Sequence, residues 1–433
     1  MKNIIPTRII NLKHRTDRRE HIEKEFGGRA EFSIEVIEAC EHHIGAIGLW
    51  QSICRIISTA SQKDWPYVLI CEDDHQFTEE YSPDYLMDCI AKCEAEGGDV
   101  LLGAVSWFDS ALPVNDKLHW VAKFTGTQFM IIYRKFYEKI LSADFGVGDN
   151  ADYKIASLTT GKYFTSKPVS TQIYFGYSDV TARNAQEGRL EELFGDSVNG
   201  IDMLRIVSNY YQKEINDVQK KIPDYDLSQI CLPVFIITQP ETYRDRIIQE
   251  FSRKPEFEVF FIETGKNGEC TNIDRWEGIR EAVRMGKERD EDLIIICNDN
   301  HIFTADYSKE YLFDHIIKAH YQGIDLLLTG CRSFYRAIPV APSRYWVAGG
   351  TAAPFLVIFK KFYDRLLEES FDENVKPSEL INELTFNKML IYPFISSSVD
   401  DQHIFEETRL NFAELEEAST RYFWPQLQHT VVI

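Results

Sequence analysis

Three adjacent acids, Glu72, Asp73 and Asp74, follow the apolar run Tyr67 to Cys71, which reads as a buried parallel strand. In open α/β sheets ligands bind beyond the carboxyl ends of the strands, which is where these acids fall. Three successive carboxylates repel one another. A hard divalent cation relieves that repulsion, prefers oxygen ligands and can carry a diphosphate on its open positions. The competing reading is a solvated acidic turn. Arg15, Arg18 and Arg19 follow a first short strand, Arg8 to Leu12, where a nucleotide would lie, or they are plain surface cations of the next helix. Asn11 at that strand's end is either a contact for base or ribose or an ordinary loop cap. Trp107 and Phe108 are either a stacking platform for a sugar or core packing.

These residues need elements to hold them, and the order of elements is legible. Arg8 to Leu12 reads as a strand, and Asp17 to Phe26 as a helix with Asp17 as its cap. Ser33 to Glu38 alternates as a second strand. Gly48 to Ala60 has helical spacing, and Tyr67 to Cys71 is the central strand. Ser82 and Pro83 then open a helix that runs to Glu96, before a strand over Asp99 to Ala104. Alternating strands and helices imply an α/β domain with a mostly parallel sheet flanked by helices.

The pattern occurs twice. Residues 71–82 and 297–308 share seven of twelve identities, where unrelated sequences would share roughly one. The offset of 226 also pairs Trp50 with Trp276, Asp99 with Asp325, Trp120 with Trp346 and Phe136-Tyr137 with Phe362-Tyr363. The chain is therefore a tandem duplication, with the seam near Lys220 to Leu232 and domains expected over 1–225 and 226–433. In the second copy Asn298 and Asn300 replace Glu72 and Asp74, while Asp299 and His301 remain. An amide keeps the shape of a carboxylate and loses its charge, so the second copy is expected to bind metal poorly. Residues shared by both copies, His75 among them, read as fold residues.

Composition narrows the partners. The 433 residues carry 47 basic and 68 acidic side chains, a net charge of -21, which disfavours nucleic acid and anionic membranes at long range. Hydrophobic residues at 44% exclude a disordered chain. Nine scattered cysteines without a metal-binding spacing read as reduced thiols. The sequence shows neither a signal-peptide pattern at Met1 to Asn11 nor an apolar run long enough to span a bilayer, so a cytoplasmic protein is expected.

The stretch Ile10-Asn11-Leu12-Lys13-His14-Arg15-Thr16-Asp17-Arg18-Arg19 resembles the INLxxRxDRR opening of glycosyltransferase family 25, the lipopolysaccharide and collagen β-galactosyltransferase-like group. Leu49-Trp50, the run Tyr67 to Asp74 and Gly126-Thr127 resemble its LW, YxLxxEDD and GTxxY stretches in the same order. Asp152, Pro168, Gln172 and Ser178-Asp179 fall where that family carries an aspartate, a proline, a glutamine and a Ser-Asp pair. The resemblance covers most of the first half and, in degenerate form, the second. One stretch departs from it: Gly45 and Ala46 stand where the family has Ser-His.

The resemblance implies two tandem GT-A-like domains, the nucleotide-diphospho-sugar transferase fold. It implies an inverting hexosyltransferase using a nucleotide sugar such as a UDP-hexose, with a glycan or lipopolysaccharide acceptor. Manganese, or magnesium, would sit at Asp74 and Glu72. Asn11, Arg15, Arg18, Glu72, Asp73, Gly126, Thr127 and Gln172 would contact the nucleotide sugar. Asp152 is the candidate base, with Asp149 and Asp179 as rivals and a plain helix start as the competing role. Its counterpart in the second copy is ambiguous, with Glu379 and Glu383 nearby. The alternatives are a non-catalytic carbohydrate- or nucleotide-binding protein, and metal-assisted phosphoester hydrolysis, for which further ligands are lacking.

Overall fold

The computed structural model describes residues 4–176, 186–221, 226–238, 244–265, 270–349 and 353–425, with side chains omitted for 212–221. Two compact α/β units form, one from Met1–Met203 with the chain from Glu417 onward, the other from Leu204–Glu416. The sequence repeat begins again near 225, whereas the division by compactness falls inside the helix Arg189–Lys221.

In the first unit the order is β1 Ile5–Asn11, α1 Thr16–Glu25, β2 Phe32–Glu38, α2 Gly45–Gln62, β3 Tyr67–Glu72, β4 His75–Phe77, α3 Pro83–Ala95 and β5 Val100–Leu102. Then come β6 Trp107–Phe108, β7 Ala111–Pro113, β8 Leu118–Val121, β9 Phe124–Thr125, β10 Phe129–Tyr133, α4 Arg134–Leu141, α5 Ala151–Leu158, β11 Lys162–Thr165, β12 Ser170–Gln172 and α6 Arg189–Lys221. The main sheet has the order β2-β1-β3-β10-β5-β11-β8-β7. β2, β1 and β3 are mutually parallel, as are β5 and β11. β10 runs against both its neighbours, β3 and β5, and β8 runs against β11 and β7. Six of the eight strands therefore point one way.

Helix ends follow local chemistry. Ser82 accepts from the Tyr85 amide at 3.2 Å with Pro83 in the first turn, and Asn150 accepts from the Tyr153 amide at 2.8 Å to open α5. α1 differs from expectation. It begins at Thr16 without a side-chain cap, and Asp17 lies in its first turn, where a negative charge suits the helix dipole.

The second unit repeats the sheet with β13 Leu232–Thr238, β14 Phe257–Glu263, β15 Leu293–Asn298, β17 Leu326–Leu328, β18 Arg336–Ala341, β19 Arg344–Ala348, β20 Phe355–Phe359 and β21 Lys388–Ile391. Its order, β14-β13-β15-β20-β17-β21-β19-β18, is the same arrangement. β16 His301–Phe303 pairs with β22 Ser396–Ser398 as β4 pairs with β12. Residues common to both copies make the same internal bonds. His75 bonds Ser170 at 2.8 Å and His301 bonds Ser396 at 3.1 Å. Trp120 donates to the Thr160 carbonyl and Trp346 to that of Phe386. Thr78 and Thr304 donate to the carbonyls of Pro168 and Phe394. All nine cysteines are free thiols, five of them buried and Cys231 on the surface. Among the described residues, no helix is long and apolar enough to cross a membrane.

Both shared histidines are fully buried, and burial lowers each to a pKa of about 3, so they stay neutral in the fold. The unfolded chain binds their protons from about pH 6.5 downward and the folded chain does not. Each histidine therefore contributes stability that is complete above that pH and is lost as pH falls toward 3. Urea denaturation of His301→Asn should lose less stability than the wild type between pH 7 and pH 5, by up to about 1.4 kcal/mol per pH unit below 6.5. Parallel pH dependences would contradict the assignment.

Candidate active site

β1 and β3 lie side by side with Ile10 opposite Glu72, so Asn11 and the acidic triplet emerge together at the carboxyl edge of the sheet. The triplet does not act as one group. Asp73, 4% exposed, is held by Asn11, whose Nδ2 donates to Oδ2 at 2.9 Å, and by Arg18, whose Nη1 lies 3.0 Å from Oδ1. Arg15 adds its charge at 3.9 Å. The same Arg18 nitrogen is 3.0 Å from Asp74 Oδ2, and Gln172 Nε2 donates to Asp74 Oδ1 at 3.2 Å. Glu72 Oε1 accepts from the Thr127 hydroxyl at 2.6 Å.

Asp152 joins this edge from the first turn of α5. Its Oδ2 accepts from the Gly126 amide at 3.2 Å. Gly126 has φ +115°, and a Cβ there would come within 2.8 Å of Gln128 Oε1, so the loop that presents this amide needs glycine. Asp152 is thus both a helix-start residue and a group aimed at the site.

The electrostatics separate these acids. Burial, then the charge of Asp74, pushes Glu72 up to about 8, with the Thr127 hydrogen bond opposing. Burial raises Asp74 despite Arg18. Burial raises Asp152 to about 6, and the bonds from Gly126 and Thr127 pull the other way. The charged form of each of these acids is disfavoured first by burial, to which neighbouring carboxylates add for Glu72 and Asp74. Asp109, buried behind β6, is raised by burial to about 6, but its carboxylate is occupied by the amides of Ser110 and Lys123.

A cavity of about 760 Å³ opens over this edge. Arg15, Arg18, Glu72, Asp73, Asp74, Gly126, Thr127, Asp152 and Gln172 all line it, and Asn11 stands behind Asp73. Gly45 and Ala46 line it too. Arg19 does not: it is exposed and pairs with Glu23 on α1 at 2.9 Å. Asp149 is also outside the lining and is engaged by the Gly146 amide and Lys154. Ser178 and Asp179 lie outside the described residues. The aromatic doublet splits, because successive residues of a strand face opposite ways. Trp107 lines the cavity, edge-on to Tyr153 at 6.2 Å, while Phe108 is fully buried near Phe164.

Sequence reasoning missed His14, His42, His43, Tyr153 and Arg189, which also line the cavity. His42-His43 precede α2 and Arg189 begins α6, and neither position belongs to a motif. Among the described residues, no group of three or more His, Cys, Asp or Glu side chains is arranged to hold a metal ion.

The second unit is a built-in comparison. Asp299 Oδ2 accepts from Thr238 at 3.4 Å, much as Asp73 accepts from Asn11. Asn300 donates to Asp400 at 2.7 Å. The helix Pro377–Glu383 starts 226 residues after α5, so Ser378, rather than Glu379 or Glu383, stands at the place of Asp152. The corresponding Gly350-Thr351-Ala352 segment lies outside the described residues.

No family model and no curated protein matches the chain. Among solved structures, apo UDP-glucose pyrophosphorylase is similar over 46% of this chain and 82% of its own, with 9% identity and a TM-score of 0.26. UDP-glucose pyrophosphorylase complexed with UDP-glucose is similar over 46% and 81%, with 8% identity and a TM-score of 0.27.

Arg18 and Arg19 make opposite predictions. Arg18→Met leaves Asp73 and Asp74 buried without their shared cation and should destabilise the first unit by about 3–5 kcal/mol in urea denaturation. Arg19→Ala should change stability by less than about 0.5 kcal/mol. Equal effects would refute this division of roles.

Proposed function

We propose that the first unit is a metal-dependent glycosyltransferase, moving a hexose from a nucleotide-diphosphate sugar such as a UDP-hexose to a glycan acceptor with inversion, and that the second unit is a non-catalytic repeat. The observation that carries this reading is one cavity lined by Glu72, Asp74 and Asp152, three acids whose ionisation is disfavoured by burial. The donor set suits a hard cation. Glu72 and Asp74 offer carboxylate oxygens only, and magnesium and manganese are commonly held by one or two carboxylates with substrate phosphates completing the shell. When bound, the cation supplies charge for the developing diphosphate leaving group.

The chain's own residues do the rest. Asn11, Arg15 and Arg18 fix the Asp73 turn and so aim Glu72 and Asp74 at the cavity. Gln172 orients Asp74, and Thr127 orients Glu72. Asp152, in reach of the Gly126 amide, accepts the acceptor hydroxyl's proton as the new glycosidic bond forms on the opposite face from the departing diphosphate. Trp107 presents an aromatic surface for a sugar ring. Gly45 and Ala46, lining the cavity where the resembling family has Ser-His, favour a second reading in which the cavity binds its ligand without turnover.

Titration calorimetry with manganese and UDP should show binding that Asp74→Asn abolishes and Asp299→Asn preserves. A wild-type protein that binds no nucleotide would overturn the transferase reading. Asp152→Asn should retain UDP binding and lose sugar transfer by about 10²-fold or more. Full transfer activity in that variant would remove Asp152 from the role of base, and binding without transfer in the wild type would select the second reading.

A further inference from the structure

Three arginines line the cavity, and two are already committed. Arg15 and Arg18 answer Asp73 and Asp74. Arg189 differs. It sits in the first turn of α6 beside Leu190 and Leu193, which also face the cavity. Its Nε is shielded from solvent and has no hydrogen-bond acceptor, and among the described residues no carboxylate lies within ion-pair distance of it. The acids of the same turn, Glu191 and Glu192, are exposed and do not line the cavity. Its planar guanidinium fork matches an oxyanion in two parallel hydrogen bonds. The helix start adds the positive end of the α6 dipole.

In the second unit the helix after β22 begins at Gln402, 4 residues past its strand, whereas α6 begins 17 residues past β12, so no residue of the second copy is matched to Arg189.

We infer that Arg189 receives an anionic oxygen group, phosphate or carboxylate, of the substrate bound in this cavity. The inference deepens the transferase reading, since it concerns the same cavity, and it leaves two sources for the anion: the donor's diphosphate or an acidic group on the acceptor sugar. Titration calorimetry on the full chain without divalent cations, using pyrophosphate, UDP, uridine, glucuronate and glucose 6-phosphate, separates them. Arg189→Gln should weaken anion binding by about tenfold or more, with uridine unchanged and Arg189→Lys recovering part of the loss. A loss confined to pyrophosphate and UDP assigns Arg189 to the donor, and one confined to glucuronate and glucose 6-phosphate assigns it to the acceptor. Either supports the inference. Circular dichroism and the thermal midpoint of Arg189→Gln should match the wild type. Wild-type affinity of Arg189→Gln for every probe, or no anion binding by the wild type, overturns it. Arg189-dependent pyrophosphate binding in a protein that binds no nucleotide with manganese would leave it standing while the transferase reading falls.

Discussion

The site depends on one buried carboxylate. Asp73 lies at the end of the central strand, almost out of water, and its charge is tolerable only because Asn11, Arg15 and Arg18 surround it. That network ties the turn after β3 to the end of β1 and the start of α1. Asp73 and Asp74 form the turn between β3 and β4, and Glu72 and Asp74 on either side of Asp73 line the same cavity. Asp73 is thus the most buried of the three acids and is held by Asn11, Arg15 and Arg18, while Glu72 and Asp74 are the two that the proposed function uses as ligands.

Burial of Glu72, Asp74 and Asp152 around one cavity works against their ionisation, and a fold does not need that arrangement. The second unit demonstrates the point. It keeps the sheet order, the buried histidine with its serine partner, the tryptophan-to-carbonyl bond and an aspartate in the place of Asp73. It lacks those three acids. The residues common to both copies account for the architecture, and those confined to the first make the buried acidic lining of its cavity.

Much of the fold was legible because its signals are local. Continuous apolar runs marked β1 and β3, Ser82-Pro83 marked the start of α3, and the offset of 226 exposed the duplication. Strand direction was not legible in the same way. β10 is as apolar as β3, yet it runs antiparallel between β3 and β5, and composition carries no sign of direction. Nor did residue type separate Arg18 from Arg19, adjacent and identical, since only the rotation of α1 buries one and exposes the other.

By itself the sequence determined that one α/β fold is made twice, that an acidic triplet ends its central strand, and that only the first copy keeps it, because periodicity, identity and charge are properties of the chain. The tertiary structure decided what each acid does. Asp73 became a buried anchor, Asp152 arrived from a helix about eighty residues away, and Arg189 reached the same cavity without any motif to announce it. These assignments follow from distance and burial in three dimensions, where the cost of an unpaired charge is set by which side chains the fold brings within a few ångströms of it.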